Sequence, residues 1–392
     1  MYLQNVDFNI SQFKFQFQKY FGTIDSSIIV RSPGRVNLIG EHTDYNEGFV
    51  LPAAVDNAIY FAVSARSDMK FRFYSLDMNE WFEGNIHELK KSELRWPNYL
   101  LGIIDQLIKA GYEFSGFNCM FGGDVPIGAG MSSSAAVECG LIYALNELFG
   151  LQIDKLTLVK LGQKSENEFV GVQCGIMDQF INIFGESKKV LLLDCRSLNY
   201  KQIPFERSDL SIVLCETKAR RELASSEYNV RRLQCEEGVR ILSSFYPNIK
   251  SLRDVTLERL EQNIKHLSPT VFRRCIYVLE ENARVINACL DLQNNDFVSF
   301  GKRMFESHEG LRKDYEVSSK ELDVLVNIAS NINGVLGSRM MGAGFGGCTI
   351  NLVEEEYVEQ FSAMIQDQYK ETNNEEIKVH IAKLEAGTEL IN

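Results

Sequence analysis

The sequence predicts an α+β protein of two domains, sheet-rich first and helix-rich later. Three observations carry the prediction. The chain has 392 residues, and a single apolar core rarely grows much beyond about 250 to 300. Short apolar runs bounded by turn residues fill its first part, which is the pattern of strands. Beyond Lys218 long charged and apolar segments recur at helical period instead. The change falls near residues 200–215 without a Pro/Gly/Ser-rich linker, so the domains are drawn as 1–205 and 206–392. No internal repeat or low-complexity segment is visible.

Ile10, Phe13, Phe17 and Phe21 share a helical face, so a short leading helix buries aromatics on the body; Phe15 falls off that face. Residues 28–30 and 36–39 read as strands separated by the turn signal Ser32-Pro33-Gly34. Residues 49–55, 58–65 and 70–74 continue as strands. Trp96-Pro97 opens a helix with Leu100, Ile103, Ile104, Leu107 and Ile108 on one face and Gly111 as its stop. Residues 119–121 form a short strand running into a loop of glycines and serines, behind which Val137, Leu141, Leu145 and Leu148 repeat helically until Gly150. A further helix spans 154–169. Cys174-Gly175 breaks it before Met177, Phe180, Ile181 and Phe184 make another apolar face. Residues 190–194 and 210–214 read as strands, and helices follow near 222–244, 256–264, 271–292 and 320–332. Glu354-Glu355-Glu356 reads as a solvated helix start, and strand-like runs at 348–353 and 377–381 return sheet to the second domain.

A net charge of −12 argues against binding a nucleic-acid backbone, whose affinity is built on clustered Lys and Arg. Any anionic ligand must then be held by local devices. The nine cysteines contain no Cys-x-x-Cys pair and the five histidines lie far apart, so no disulfide framework or zinc motif is readable. Free thiols in a reducing cytoplasm are expected. The first residues lack a basic stretch followed by an apolar run, and no stretch approaches the roughly 18 apolar residues of a membrane span. An unanchored cytoplasmic protein is expected.

Two stretches carry chemistry on their residues alone. Glu41-His42-Thr43-Asp44-Tyr45, with Arg35 upstream and Gly34, Gly40 and Gly48 around it, has a polyol-binding composition. Acidic acceptors and an imidazole in one tight loop can ring a sugar with hydrogen bonds, while glycines let the backbone approach it. Gly128-Ala129-Gly130-Met131-Ser132-Ser133-Ser134 opens a helix. Unpaired N–H groups and the positive end of the helix dipole make that an anion site. It is not a Walker A loop, because no Gly-Lys-Ser/Thr follows. A second cluster, Gly342-Ala343-Gly344-Phe345-Gly346-Gly347, satisfies G-x-G-x-x-G but leads into a strand. The dinucleotide fingerprint requires a helix there, so that reading is rejected. For Asp178, beside the apolar face of Phe180 and Ile181, the residues alone leave a structural salt bridge and a catalytic role both open. Trp96 is as easily a core tryptophan as a ligand contact.

These stretches resemble the galactokinase branch of the small-molecule kinases, a family that also covers homoserine, mevalonate and phosphomevalonate kinases. The resemblance rests on 34–45, 126–136, 174–180 and 338–348, together with 225–236, in the family's order. It implies a two-domain small-molecule kinase fold with the active site between a sheet-rich N-terminal domain and a helix-rich α/β C-terminal domain. It also implies an ATP- and Mg2+-dependent sugar 1-kinase, most closely a galactokinase. Kinases of N-acetylgalactosamine or arabinose, or a sensor that binds galactose and ATP without turnover, remain alternatives. Thr43 favours plain galactose over the acetylated sugar.

By the same resemblance Asp178 accepts the hydroxyl proton. Arg35 lowers that aspartate's pKa and offsets transition-state charge. Glu41 and His42 lie near the sugar's C6 hydroxyl, Asp44 near C3 and C4, with Thr43, the Gly175 amide and Tyr228 completing the sugar contacts. Residues 128–134 wrap the ATP phosphates, Trp96 packs by the adenine, and Ser134 with Glu166 supplies oxygens to Mg2+. From the residues alone Glu168 equals Glu166 as a candidate. Two departures stand out: Ala343 replaces a glycine in the second glycine cluster, and Lys218 and Arg221 replace an asparagine and a histidine found in animal galactokinases. A monomer is expected, with no nucleic-acid or membrane partner.

Overall fold

The structure, a computed structural model, describes residues 8–22, 27–126, 130–218 and 224–391. Gly128, Ala129, Arg221 and the first seven residues lie outside that description. The leading helix, α1 (Ile10–Phe21), is capped by the Asn9 side chain, which accepts from the Gln12 N–H. It buries Phe13 and Phe17 and leaves Phe15 exposed, as the spacing requires.

Next come β1 (Ser27–Asn37), β2 (Phe49–Val50), β3 (Pro52–Ala65), β4 (Lys70–Ser75), β5 (Glu80–Asn85), α2 (Pro97–Lys109) and β6 (Phe117–Gly123). The expected turn at Ser32-Pro33-Gly34 is instead a register shift inside one continuous strand, because the pairing of β1 with β3 slips between Pro33 and Arg35. Val55, Asp56 and Asn57 of β3 stand opposite the single Gly34 of β1, so the extra residues of the bulge belong to β3. Arg35 is the first β1 residue paired again beyond it. β3 likewise runs unbroken through Asp56 and Asn57, where the apolar runs are separated in the sequence.

The glycine loop feeds α3 (Ser133–Phe149), followed by α4 (Lys155–Lys164), α5 (Met177–Phe184), β7 (Lys189–Asp194), β8 (Tyr200–Pro204) and β9 (Leu210–Glu216). The helix expected over 154–169 stops short at Lys164 and continues as a π-helical turn, Ser165–Val170. Then come α6 (Ala224–Phe245), α7 (Leu257–Gln262), α8 (Pro269–Gln293), α9 (Phe297–Lys313), α10 (Lys320–Ala329), β10 (Val335–Met341), β11 (Cys348–Glu354), α11 (Val358–Asn373), β12 (Lys378–Ala382) and β13 (Glu389–Ile391).

Three sheets form, with strand orders β13-β1-β3-β6-β4-β5, β10-β11-β9-β12 and β2-β7-β8. The last strand does not stay with the second of these, since Ile391 pairs with Ile29 and returns the chain to the first. α3 packs on β1 and β3, and the largest apolar cluster runs from Val30 and Phe61 through Leu141 to Leu214, Val285 and Ile350. One core therefore underlies residues from both sheets. α6, α8 and the end of α9 close a second cluster around Tyr277, Leu311 and Tyr315. α10 and α11 cover the four-stranded sheet through Leu325, Phe361 and Ile365. None of the nine cysteines forms a disulfide, and seven are buried. Among the described residues no helix is long and apolar enough to cross a membrane.

Candidate active site

A cavity of about 290 Å³ opens where β1, the 41–44 loop, the start of α3, the π turn, the start of α5 and α6 meet. Arg35, Glu41, His42, Asp44, Gly130, Ser132, Ser133, Ser134, Glu166, Gly175, Asp178 and Tyr228 all line it. The acidic loop at 41–44, the serine loop at 130–134 and the stretch at 174–178, far apart in the chain, therefore face one space.

Arg35 and Asp178 form a two-pronged pair: Nε donates to Oδ1 and Nη2 to Oδ2, each at 2.8 Å. Such a fork fixes orientation as well as charge. The Arg35 side chain is buried while that of Asp178 is 27% exposed, so the carboxylate presents an edge to the cavity. Burial alone would lower the guanidinium, but the Asp178 charge and hydrogen bond outweigh it and raise Arg35 above its ordinary value. Arg35 also donates from Nη1 to the Gly130 carbonyl and from its backbone N–H to the Met131 carbonyl. β1 thus grips the serine loop directly, just past its register shift with β3.

Ser132, at φ 54 and ψ 53, does not cap α3; its hydroxyl donates to Asp178 Oδ2 instead. The first N–H groups of α3 consequently have no capping side chain, which leaves an anion site at the cavity wall. Met131, Ser133 and Ser134 line the same wall.

On the opposite side the acidic loop is ordered by its own hydrogen bonds. Asp44 starts a short 3-10 turn, and its carboxylate accepts backbone hydrogen bonds from Tyr45 and Met177. Burial first, and the Asp178 charge second, push Asp44 up to about 7. A Cβ on Gly175 would lie 2.0 Å from Asp44 Oδ2, so only glycine lets that carboxylate reach its place. Glu41 Oε1 accepts from the Gly342 N–H at 2.8 Å and lies 2.9 Å from Arg339 Nη2, in a fully buried pair. Burial raises the Glu41 pKa and Arg339 opposes it. The Tyr228 ring lies 5.2 Å from that of His42.

Thr43 stands behind the cavity wall. Its hydroxyl donates to the Gly40 and Phe49 carbonyls, it is wholly buried, and it holds the loop without lining the cavity. Trp96 stands outside this cavity wall, donating to Glu80 Oε2 and packing on Phe82 and Phe121. Tyr99, one helical turn on, lines the cavity instead.

The π turn separates the two glutamates. Glu166 is buried and its carboxylate accepts from Gln179 Nε2 at 2.8 Å and from Ser134, whereas Glu168 turns outward to Gln106 with its side chain about half exposed. Burial, then the Asp178 charge, raises the Glu166 pKa. Among the described residues no cluster of three or more His, Cys, Asp or Glu could hold a metal unaided. A magnesium ion needs no such cluster, since it takes one or two protein oxygens plus phosphate and water. A carboxylate and a hydroxyl side by side at an anion-binding helix terminus fit it.

Arg339 was not singled out by sequence reasoning. Arg339 looks like part of a buried strand, and its partner Glu41 is 298 residues away. Gly342 and Ala343 border the cavity. The positive-φ positions there are Gly342, Gly344, Phe345, Gly346 and Gly347, so Ala343 sits where a side chain costs nothing.

A helix-terminus anion site held against a forked aspartate and arginine on one cavity wall is the arrangement of a small-molecule kinase. The chain matches the models for the N terminal and C terminal domains of GHMP kinases at residues 98–186 and 289–371. It also matches the galactokinase galactose-binding signature at residues 16–65. The galactokinase of Roseiflexus sp. (strain RS-1) is 41% identical over 372 residues, 95% of each chain. That of Clostridium acetobutylicum is 43% identical over 366 residues, 92% of this chain and 94% of its own. The crystal structure of Lactococcus lactis galactokinase complexed with galactose superposes with a TM-score of 0.93 at 36% identity, covering 97% of this chain and 99% of that one. Methanococcus jannaschii mevalonate kinase, at 20% identity and a TM-score of 0.65, shares the fold. The chain belongs to the galactokinase family.

Proposed function

We propose that the protein transfers the γ-phosphoryl group of ATP to the C1 hydroxyl of α-D-galactose, giving galactose 1-phosphate and ADP. One observation supports this above the others: Asp178, forked by Arg35, stands on the cavity wall between the start of α3 and Asp44. A nucleotide's terminal phosphate at the helix terminus then faces a sugar held by the acidic loop. The C1 oxygen forms its bond to the γ-phosphorus as the bond to the bridging oxygen breaks, ADP departs, and the hydroxyl proton passes to Asp178. Such a transfer asks the protein for positioning, charge neutralisation and a proton acceptor.

Arg35 holds Asp178 to one geometry and sets positive charge beside the transferring group. Ser132, Ser133 and Ser134 with the α3 amides bind phosphate oxygens. Ser134 and Glu166 would hold Mg2+, which when bound neutralises charge on the phosphates. Asp44, Glu41, His42, the Gly175 amide and Tyr228 bind the sugar hydroxyls. A site that desolvates an acceptor for each hydroxyl rejects an epimer, because a misplaced hydroxyl leaves a buried group unpaired. Coupled ADP release across a panel of hexoses tests the reading: galactose should be strongly preferred, and equal turnover of glucose would overturn it.

A further inference from the structure

His42 enters the cavity from a left-handed backbone position, φ 61, which fixes the direction of its ring. Both ring nitrogens have partners. Nε2 lies 3.3 Å from the Ala343 carbonyl oxygen, which can only accept, so Nε2 carries the hydrogen. Nδ1 lies 2.8 Å from the Tyr45 hydroxyl. In a neutral imidazole with Nε2 protonated, Nδ1 is an acceptor and Tyr45 must donate to it. Burial keeps the ring neutral, lowering its pKa to about 3.

The constraint then propagates outward. The Tyr45 oxygen, its proton committed, accepts from the Tyr315 hydroxyl 2.7 Å away, and Tyr315 accepts from the Cys235 thiol at 3.2 Å. Every donor in this chain points toward His42. The far end is anchored as well. Arg231 donates from Nε to the Tyr315 carbonyl and from Nη2 to that of Glu316, holding the loop after α9 against α6. Asn46 Nδ2 donates to the His42 carbonyl and completes the clamp.

We propose that Tyr45, Tyr315 and Cys235 form a one-way hydrogen-bond relay that locks His42 as the Nε2–H tautomer, so that His42 meets the sugar as a hydrogen-bond donor. Tyr45 is then a positioning residue, acting through His42. The relay gives Cys235 and Arg231 of α6 a role in a sugar site they do not line. It also sets a chemical demand, that the substrate group facing His42 be an acceptor; a sugar with only a methyl group there leaves Nε2–H to the long Ala343 contact. This rests on the reading of the cavity as a galactose site, but the tautomer itself does not.

Histidine-labelled protein without ligand, read by long-range 15N–1H correlation with His42→Gln for assignment, should show His42 with Nδ1 bare and Nε2 protonated. A protonated Nδ1 in the wild-type protein would overturn the proposal. In Tyr45→Phe the Nδ1 signal should move toward the protonated range. Galactose KM should rise about tenfold, the scale of one lost hydrogen bond, with kcat and the KM for ATP held. Tyr315→Phe should shift both readouts in the same direction by less. An unchanged tautomer and unchanged galactose KM in Tyr45→Phe would overturn the relay. If Tyr45→Phe fails to fold, the wild-type spectrum and Tyr315→Phe still decide. Absence of any galactose turnover in wild type would sink the sugar reading while leaving the spectral result interpretable.

Discussion

Replacing Asp44 by asparagine removes a charge the folded protein holds against its own interest. The unfolded side chain ionises at an ordinary aspartate value, whereas burial and the Asp178 charge raise the folded group to about 7. Between those values the folded state binds more protons than the unfolded one, so stability falls as pH rises through the window from about 4 to about 7 and is level above it. A rise from an ordinary aspartate value to about 7 corresponds to roughly 4 kcal/mol, an upper bound because the carboxylate opens on a cavity that water can screen; about 1 to 2 kcal/mol is expected. Asp44→Asn should recover that amount at pH 8 and almost none at pH 4. In ligand-free thermal unfolding this is a gain of about 1 to 3 °C at pH 8. The same change should weaken galactose binding by about 10- to 100-fold, since an amide supplies one acceptor oxygen and no charge. ATP binding should hold. In the wild-type enzyme galactose KM should rise as pH falls through about 7, where Asp44 gains its proton. A variant no more stable than wild type at pH 8, or a stability gain independent of pH, would refute the argument that Asp44 is strained by burial.

Asp178→Asn should abolish turnover while calorimetry still detects galactose and ATP; an active variant would contradict its role as proton acceptor. Gly175→Ala should drive a methyl into the Asp44 carboxylate, destabilise by about 1 to 3 kcal/mol and lower galactose affinity at least about tenfold without touching ATP affinity. Wild-type galactose affinity in that variant, measured by calorimetry, would show that the close approach is not needed.

The parts of the fold that rest on local periodicity were legible. The apolar stripe of α2, the serine loop opening α3 and the strand after the second glycine cluster could each be read from about a dozen residues. Three kinds of feature could not. Pro33 and Gly34 carry a strong turn signal, yet β3 pairs along both sides of them and converts the turn into a bulge. Long-range pairing overrode the local preference. The choice between Glu166 and Glu168 depends on the π turn, whose extra residue rotates the helix face in a way no 3.6-residue period predicts. Arg339 is hidden because a buried arginine in a short strand is explained only by Glu41, and the two meet through tertiary structure alone. α9 went unnoticed although Phe297, Phe300, Met304 and Leu311 recur at helical spacing, a signal the sequence did contain.

Of all the site residues, Arg35 does most to make the two substrate regions a single site. It stands on β1 just past the register shift with β3, its backbone N–H on Met131, one guanidinium arm on Gly130 and the other two nitrogens on Asp178. The serine loop and the aspartate are therefore positioned by the same rigid plane, itself buried and fixed to a six-stranded sheet. Lysine could satisfy one of these partners, not all, because a point charge on a flexible stem has no fork. Phosphoryl transfer leaves little covalent work to the protein, so its rate depends on how little the acceptor and the phosphate site move relative to each other. Anchoring both to one guanidinium meets that need with a single residue, placed on β1 where its pairing with β3 changes register.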